Sequence, residues 1–133
     1  MGGAAGRGAT RGPYDEDCPS RAVLNHVASR WGTLIVGALR PGPMRFYVLR
    51  DQIGGISEKM LSQNLRLLCR DGLVARTVEP SVPPRVSYRL TPLGEELAEH
   101  LQALIDWITL RTPGIVAAQE QFDSAAGKGP ASA

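Results

Sequence analysis

The sequence contains few cysteines, few histidines and no long apolar run, and each scarcity excludes a class of protein. Its two cysteines, Cys18 and Cys69, are too few for a disulfide framework. The two histidines, His26 and His100, lie at no spacing typical of metal ligands, so no metal site is predicted. The N-terminal segment lacks the apolar stretch of a signal peptide, and no segment reaches transmembrane length. We therefore expect a cytoplasmic protein with reduced thiols and no membrane partner.

The motifs of enzyme chemistry are also missing. The sequence contains no Ser/His/Asp arrangement, no glycine-rich phosphate loop and no paired carboxylates in an apolar setting. Many of its acids instead cluster on one side of a predicted helix in the C-terminal third of the chain. The sequence therefore predicts a protein that is not an enzyme and has no cofactor.

Charge is distributed unevenly, although the net charge of the whole chain is only +2. Residues 45–89 hold eight basic side chains against four acidic ones, a local net charge of +4. Residues 92–111 hold four acids and one arginine, a local net charge of −3. The basic middle of the chain is suited to a polyanion, whereas the acidic segment must have another role.

The order of the sequence patterns predicts a mainly α fold that carries a two-stranded β-hairpin. Residues 1–17 are predicted to be a disordered arm, residues 18–111 a folded domain, and residues 112–133 a tail with at most one short helix. Thr112-Pro113-Gly114 is predicted to stop the last helix of the domain. Helices are predicted at residues 19–29, 31–39, 45–53, 57–71 and 92–111, and strands at residues 73–78 and 85–90.

The predicted helix at residues 57–71 has two chemically different faces. Ser57 is a good N-cap, and Gly72 follows at the position of a left-handed C-cap. Leu61, Leu65 and Leu68 fall on one side, which is built to be buried. The other side suits nucleic acid, although a solvated surface is the simpler interpretation of a helix taken alone. That side carries cations and polar groups and no acid: Lys59, Ser62, Gln63, Arg66 and Arg70.

The elements on either side of this helix favour DNA binding. The helix at residues 45–53, the turn Gly54-Gly55 and the helix at residues 57–71 make a helix-turn-helix, whose second helix enters the major groove. There, Lys or Arg suits guanine and Gln suits adenine. The hairpin forms a wing with a proline-rich tip over residues 79–86, and Arg85 beside it is either a minor-groove or phosphate contact or a solvated turn residue. The predicted DNA-binding residues are Ser57, Lys59, Ser62, Gln63, Arg66, Arg70 and Arg85.

Several short runs point to a known family. They are Cys18-Pro19, Arg30-Trp31-Gly32-Thr33-Leu34, Arg45-Phe46, Ile-Ser-Glu-Lys-Met-Leu-Ser-Gln-Asn-Leu-Arg at 56–66, Asp71-Gly72-Leu73-Val74, Val-Pro-Pro-Arg-Val-Ser-Tyr at 82–88, and Leu90-Thr91-Pro92-Leu93-Gly94. With these runs the chain from Cys18 to Ile108 closely resembles the HxlR family of bacterial winged helix-turn-helix transcription regulators. The combination of the Ile-Ser-x-Lys-Met-Leu helix and the proline-tipped wing is the specific part of the match.

The resemblance implies a homodimer that binds a palindromic DNA operator at the bacterial nucleoid, and repression is the family's usual mode. It assigns the dimer interface to the terminal helices. One departure is the pair Tyr47-Val48, where family members usually carry a polar pair, so phosphate contacts from that helix are left open. The dimerisation residues that the resemblance implies are Leu97, Leu101, Leu104, Ile105 and Ile108.

Cys18 matches an N-terminal cysteine that some members of this family use as a thiol sensor. In that interpretation an oxidant or another small-molecule effector alters the dimer and releases DNA, whereas the alternative is an inert cysteine. The neighbouring acids Asp15, Glu16 and Asp17 are expected to raise the pKa of the thiol. Cys69, on the edge of the buried side of its helix, is expected to pack in the interior.

The histidines and tryptophans are expected to have structural roles rather than to bind metals or ligands. His26 and His100 are expected at the surface or at the dimer edge. Trp31 is expected to pack in the core or a dimer groove rather than stack on a ligand, and Trp107 to pack at the edge of the dimer stripe. For the whole protein the alternative is a winged helix that contacts only other proteins, which predicts an uncharged exposed face on the second helix of the motif.

Overall fold

A computed structural model describes residues 11–127 of the chain. The described part starts with a 3₁₀ turn, Gly12–Tyr14, ahead of helix α1, Pro19–Val27. Arg21 of α1 donates from Nε to the Pro13 carbonyl at 2.5 Å and from Nη2 to the Tyr14 carbonyl at 3.1 Å. These bonds order the segment before α1, so the prediction of a disordered arm is wrong for residues 11–17. Residues 1–10 lie outside the described range.

Helix α2, Gly32–Leu39, corresponds to the helix predicted at residues 31–39, and it is apolar and largely buried. Ile35 and Leu39 are at most 1% exposed. A Cβ atom on Gly32 would lie 2.0 Å from the carbonyl oxygen of His26 in α1, a distance that no side chain tolerates. Glycine at the start of α2 therefore allows the close approach of the two helices.

Helices α3, Phe46–Gln52, and α4, Glu58–Arg70, form the predicted helix-turn-helix. Between them Gly55 has a φ of +84°, a left-handed conformation that glycine adopts without steric cost. Ile53 and Ile56 on either side of the glycines are buried and anchor the turn to the core. The turn thereby fixes the position at which α4 begins.

Three antiparallel strands follow the order β1-β3-β2: β1 is Met44–Arg45, β2 is Val74–Glu79 and β3 is Arg85–Leu90. Strands β2 and β3 are the predicted hairpin. The prediction of two strands is incomplete, because β1 pairs along the other edge of β3, with Met44 opposite Tyr88. A strand of two residues is too short to show an alternating pattern, and its partner is distant in the sequence.

Helix α5, Pro92–Gly127, begins where predicted and ends much later. Thr91 caps it, since its Oγ1 accepts from the Gly94 N–H at 3.0 Å. The predicted stop at residues 112–114 is wrong, and the short helix predicted in the tail is part of α5. A proline inside a helix costs about 3 kcal/mol, but strong helix formers follow it in Ala-Ala-Gln-Glu at 117–120. Residues 128–133 lie outside the described range.

Contacts divide the chain into two units, Met1–Glu99 and His100–Ala133. Side chains at residues 106–127 are all exposed. No helix in the described part of the chain is long and apolar enough to cross a membrane. The largest fully buried side chains of the first unit come from α2, α3 and α4: Ile35, Val36, Leu39, Leu49, Leu61, Leu65 and Leu68.

Candidate nucleic-acid interface

Helix α4 has the two faces that the sequence predicts. Ser57 is its N-cap, with Oγ accepting from the Met60 N–H at 3.1 Å, and Gly72 follows its C-terminal end with a φ of +76°. The leucines at positions 61, 65 and 68 are at most 1% exposed, so the opposite face is turned outward. All seven predicted DNA-binding residues are exposed: Ser57, Lys59, Ser62, Gln63, Arg66, Arg70 and Arg85.

The acid in the first turn of α4 is held by an arginine of α3. Nη1 of Arg50 donates to Oε2 of Glu58 at 2.9 Å, and Nη2 of the same guanidinium donates to Oδ1 of Asp51 at 3.3 Å. Arg50 therefore links the two helices and has its charge satisfied by carboxylates. In contrast, the cations on the outward face of α4 have no carboxylate within 4.0 Å among residues 11–127.

The pair that departs from the family pattern lies at the surface of α3. The side chains of Tyr47 and Val48 are 57% and 49% exposed. The Tyr47 ring lies under the Arg50 guanidinium, at 4.9 Å from ring centre to Cζ, and edge-on to Phe46 at 5.2 Å between ring centres. Tyr47 and Val48 thus give α3 an exposed aromatic and aliphatic surface, and the phenol hydroxyl of Tyr47 is the polar group of this pair.

The C-terminal end of α4 is tied to α1. Nδ1 of His26 lies 2.6 Å from Oδ2 of Asp71, the C-cap of α4. An ionised carboxylate only accepts, so the imidazole N–H donates. Because these side chains are only 17% and 10% exposed, the surface position expected for His26 is wrong. The partners are 45 residues apart in the sequence, and nothing in the pattern around either one pairs them.

The wing carries Arg85 at the start of β3, directly after Pro83 and Pro84. Glu79 lies opposite Arg85 in the hairpin register, but no guanidinium nitrogen of Arg85 comes within 4.0 Å of a carboxylate oxygen of Glu79. Arg85 is exposed, as a contact to DNA requires.

Sequence reasoning missed Arg76 on β2 as a candidate site residue. Arg76, Ser62 and Tyr88 together line two clefts between α4 and the sheet, with volumes of about 630 and 460 Å³. The alternation of β2 puts Arg76 on the same face as the buried Val74, but only the fold shows that this face opens toward α4.

The two thiols are free and differ in their surroundings. A hydrogen bond with the Ser20 hydroxyl, at 3.0 Å from Oγ to Sγ, is the main cause that lowers the pKa of Cys18. The charge of Asp15 raises the pKa of Cys18 as expected, but the net change that the sequence predicts has the wrong direction, because the hydrogen bonds to Ser20 outweigh that charge. Burial raises the pKa of Cys69, with the charge of Arg76 opposing.

The implied dimerisation residues on α5 differ in exposure. Leu101 is buried at 8% exposure, and Leu97 and Ile105 are half-buried. Leu104 and Ile108 are 47% and 45% exposed. Further along the same helix the exposed apolar side chains are Trp107, Leu110, Ile115, Val116 and Phe122.

Comparison with known proteins identifies the family. The family model described as HxlR-like helix-turn-helix matches residues 26–114. The HTH-type transcriptional regulator YtfH of Escherichia coli K12 is 54% identical over 108 residues, which are 81% of this chain and 86% of that protein.

Solved structures agree with this assignment. The transcriptional regulator ytfH from Salmonella typhimurium superimposes with a TM-score of 0.77 at 53% identity, covering 80% of this chain and 96% of that one. The redox regulator HypR in its oxidized form has a TM-score of 0.64 at 32% identity, covering 69% of this chain and 95% of that one. The resemblance read from the sequence and the prediction that the protein is not an enzyme are confirmed. The chain belongs to the HxlR-like helix-turn-helix family and is a DNA-binding transcriptional regulator with a winged-helix fold.

Proposed function

We propose that the protein is a sequence-specific repressor that binds a palindromic operator as a homodimer, with α4 in the major groove. The observation that carries this proposal is the outward face of α4. Lys59, Gln63 and Arg66 project from it, while the leucines behind them are fully buried. Cationic and amide groups with no carboxylate beside them match the acceptors and donors on base edges.

Within α4 the roles follow from position. Lys59, Ser62, Gln63 and Arg66 lie in the first three turns, the part of a recognition helix that contacts base edges. Ser57 already accepts a hydrogen bond from the helix and can still donate its own proton to a phosphate. Arg70, in the last turn, is better suited to the sugar-phosphate backbone than to bases.

The wing and the C-terminal helix complete the proposal. Arg85 at the wing tip is proposed to contact the minor groove or its phosphates, beyond the edge of the major-groove site. Leu104 and Ile108 on α5 are proposed to meet their counterparts in a second copy, which buries two exposed apolar side chains per protomer. Two copies related by a twofold axis require an operator with the same symmetry.

We also propose that a thiol-reactive signal acts through Cys18. The lowered pKa of Cys18 favours the thiolate, which is the reactive form. The similarity to HypR, a redox regulator, supports the same idea. The alternative function, a winged helix that contacts only proteins, predicts an uncharged outward face on α4, and the three cations there count against it.

A mobility-shift titration tests the proposal on the DNA upstream of the protein's own gene and on a scrambled duplex of equal length. We expect binding that weakens steeply as salt rises, because bound cations release counterions from DNA. Gln63→Ala should lose about 1–3 kcal/mol per half-site on the upstream DNA and much less on the scrambled duplex. Gln119→Ala, an exposed glutamine on α5, is the matched control and should bind like the wild type.

Two results would contradict this function. Absence of any shift at low salt rules out DNA as the partner. Equal losses on both duplexes for Gln63→Ala rule out base reading by that residue.

A further inference from the structure

Arg76 of strand β2 lines two clefts between helix α4 and the wing. The larger cleft, about 630 Å³, lies among β1, the start of α3, α4 and the wing. The smaller one, about 460 Å³, lies between α4 and the base of the wing. Ser62 of α4, Arg76 of β2 and Tyr88 of β3 line both of them.

The register of the sheet explains how Arg76 reaches this position. Arg76 and Tyr88 are direct cross-strand partners, so their side chains stand on the same face of the sheet. Val74 and Leu90, two residues nearer the core on the same face, are 2% and 6% exposed. The face that packs against the helices at its inner end therefore opens into the clefts at Arg76.

Arg76 brings an uncompensated charge to α4. Among residues 11–127 no carboxylate lies within 4.0 Å of its guanidinium, unlike that of Arg50. Arg76 and Cys69 line the smaller cleft together, and the charge of Arg76 opposes the rise in the pKa of Cys69. Arg45 and Arg85 also line the larger cleft and Arg66 the smaller one, but Arg76 lines both, together with the hydroxyl-bearing Ser62 and Tyr88. A guanidinium without a carboxylate partner, in a cleft that also offers hydroxyl donors, is a donor set suited to an oxyanion.

We propose that Arg76, with the hydroxyls of Ser62 and Tyr88, binds a backbone phosphate of the DNA strand that passes between α4 and the wing. This inference rests on the proposed function, because it needs α4 in the major groove. It changes the role of Ser62, which becomes a phosphate ligand rather than a base reader. It also gives the interface a phosphate anchor that does not depend on the exposed pair Tyr47-Val48 of α3.

The experiment measures binding to the scrambled duplex, because phosphate contacts do not depend on sequence. The observed association constant is followed against salt for the wild type, Arg76→Ala and Arg89→Ala. Arg89 is the matched control, since it is an exposed arginine of β3 that pairs with Ala75 and lies on the opposite face of the sheet. Circular dichroism melts check that each variant is folded.

We expect Arg76→Ala to weaken binding and to reduce the log–log salt slope by about 1 per bound protomer, while Arg89→Ala keeps the wild-type slope. Tyr88→Phe removes only a neutral donor, so it should weaken binding by roughly 2- to 10-fold with the slope unchanged. A wild-type slope for Arg76→Ala overturns the inference. An equal decrease of the salt slope for Arg89→Ala also overturns the inference, because the effect would then come from the lower net charge and not from a contact at Arg76.

The outcomes separate this inference from the proposed function. If the wild type binds the upstream DNA specifically but Arg76→Ala has the same salt slope, only the phosphate site fails. If the wild type binds neither duplex at low salt, the proposed function and the phosphate site fail together.

Discussion

At the scale of single residues, the two thiols show that hydrogen bonding and burial can outweigh a nearby charge. Cys18 is flanked by Asp15, Glu16 and Asp17 in sequence, yet its pKa is lowered, chiefly by the Ser20 hydroxyl. Cys69 has the charge of Arg76 near it, yet its pKa is raised because burial disfavours the thiolate. Local geometry therefore decides both directions, and the sequence alone does not contain that geometry.

The thiols should consequently react at different rates. A lowered pKa gives Cys18 a larger thiolate fraction at pH 7 than Cys69, whose pKa is raised, so iodoacetamide should label Cys18 first. As pH rises, the rate at Cys18 should reach its plateau at a lower pH than the rate at Cys69. Peptide mapping by mass spectrometry of the folded protein at a series of pH values measures both rates.

Ser20→Ala tests the cause of the difference. Without the hydroxyl the thiolate of Cys18 loses its main stabilising contact, so labelling of Cys18 at pH 7 should slow. Labelling of Cys69 in the same sample is the internal control and should not change. If the ratio of the two rates is the same with and without Ser20, the hydrogen bond does not set the reactivity.

At the scale of elements, α4 is held at both ends by side chains of other helices. Arg50 of α3 binds Glu58 in the first turn, and His26 of α1 binds Asp71 at the C-cap. An acid at a helix C-terminus meets the negative end of the helix dipole, so Asp71 is unfavourable there unless a donor accompanies it. The His26 imidazole is that donor, and it fixes the C-terminal end of α4 against α1.

Removal of this donor should destabilise the protein. In His26→Ala the poorly exposed carboxylate of Asp71 loses its partner, and we expect the free energy of unfolding to fall by about 1–3 kcal/mol. His100→Ala is the matched control, because His100 is exposed on α5 and should change stability by less than about 0.5 kcal/mol. Urea denaturation followed by circular dichroism measures both. Equal midpoints for the two variants would show that the His26–Asp71 contact contributes nothing.

Sequence patterns can predict some elements of this fold and not others. Helices α1 to α4 and the hairpin were predicted to within about two residues, because Leu61, Leu65 and Leu68 and their counterparts repeat at helical spacing. Strand β1 and the His26–Asp71 contact depend on partners distant in the sequence and leave no local pattern. The end of α5 lies beyond the stop that Pro113 predicts, because the helix formers after Pro113 continue the helix.

The candidate site can likewise be predicted from the sequence only where it lies within one element. The outward residues of α4 follow from periodicity within a single helix, so they could be named from the sequence. Arg76 could not, since its assignment needs the register of β2 against β3 and the position of α4 above the sheet. Contacts within one element are predictable, whereas contacts between elements require the fold.

At the scale of the whole molecule, the proposed homodimer requires an apolar surface on α5 that a second copy can cover. From residue 106 to residue 127 every side chain of α5 is exposed, including several large apolar ones. Leu101 is already buried at 8% exposure, so a charge there would test folding rather than association. Leu104, at 47% exposure, is the better position for a test of the dimer.

Leu104→Glu should dissociate the homodimer. At a twofold contact each substitution occurs twice, so two carboxylates would be buried without partners, at a cost of several kcal/mol each. We expect the dimer dissociation constant to rise by at least about 100-fold, measured by sedimentation velocity over a concentration series. Leu110→Glu is the matched control: Leu110 is 70% exposed and, at about 100° per residue, lies about 120° around α5 from Leu104, so this variant should remain dimeric. An unchanged dissociation constant for Leu104→Glu would exclude this face of α5 from the interface. Loss of the dimer in both variants would mean that the added charge, rather than a specific contact, separates the protomers.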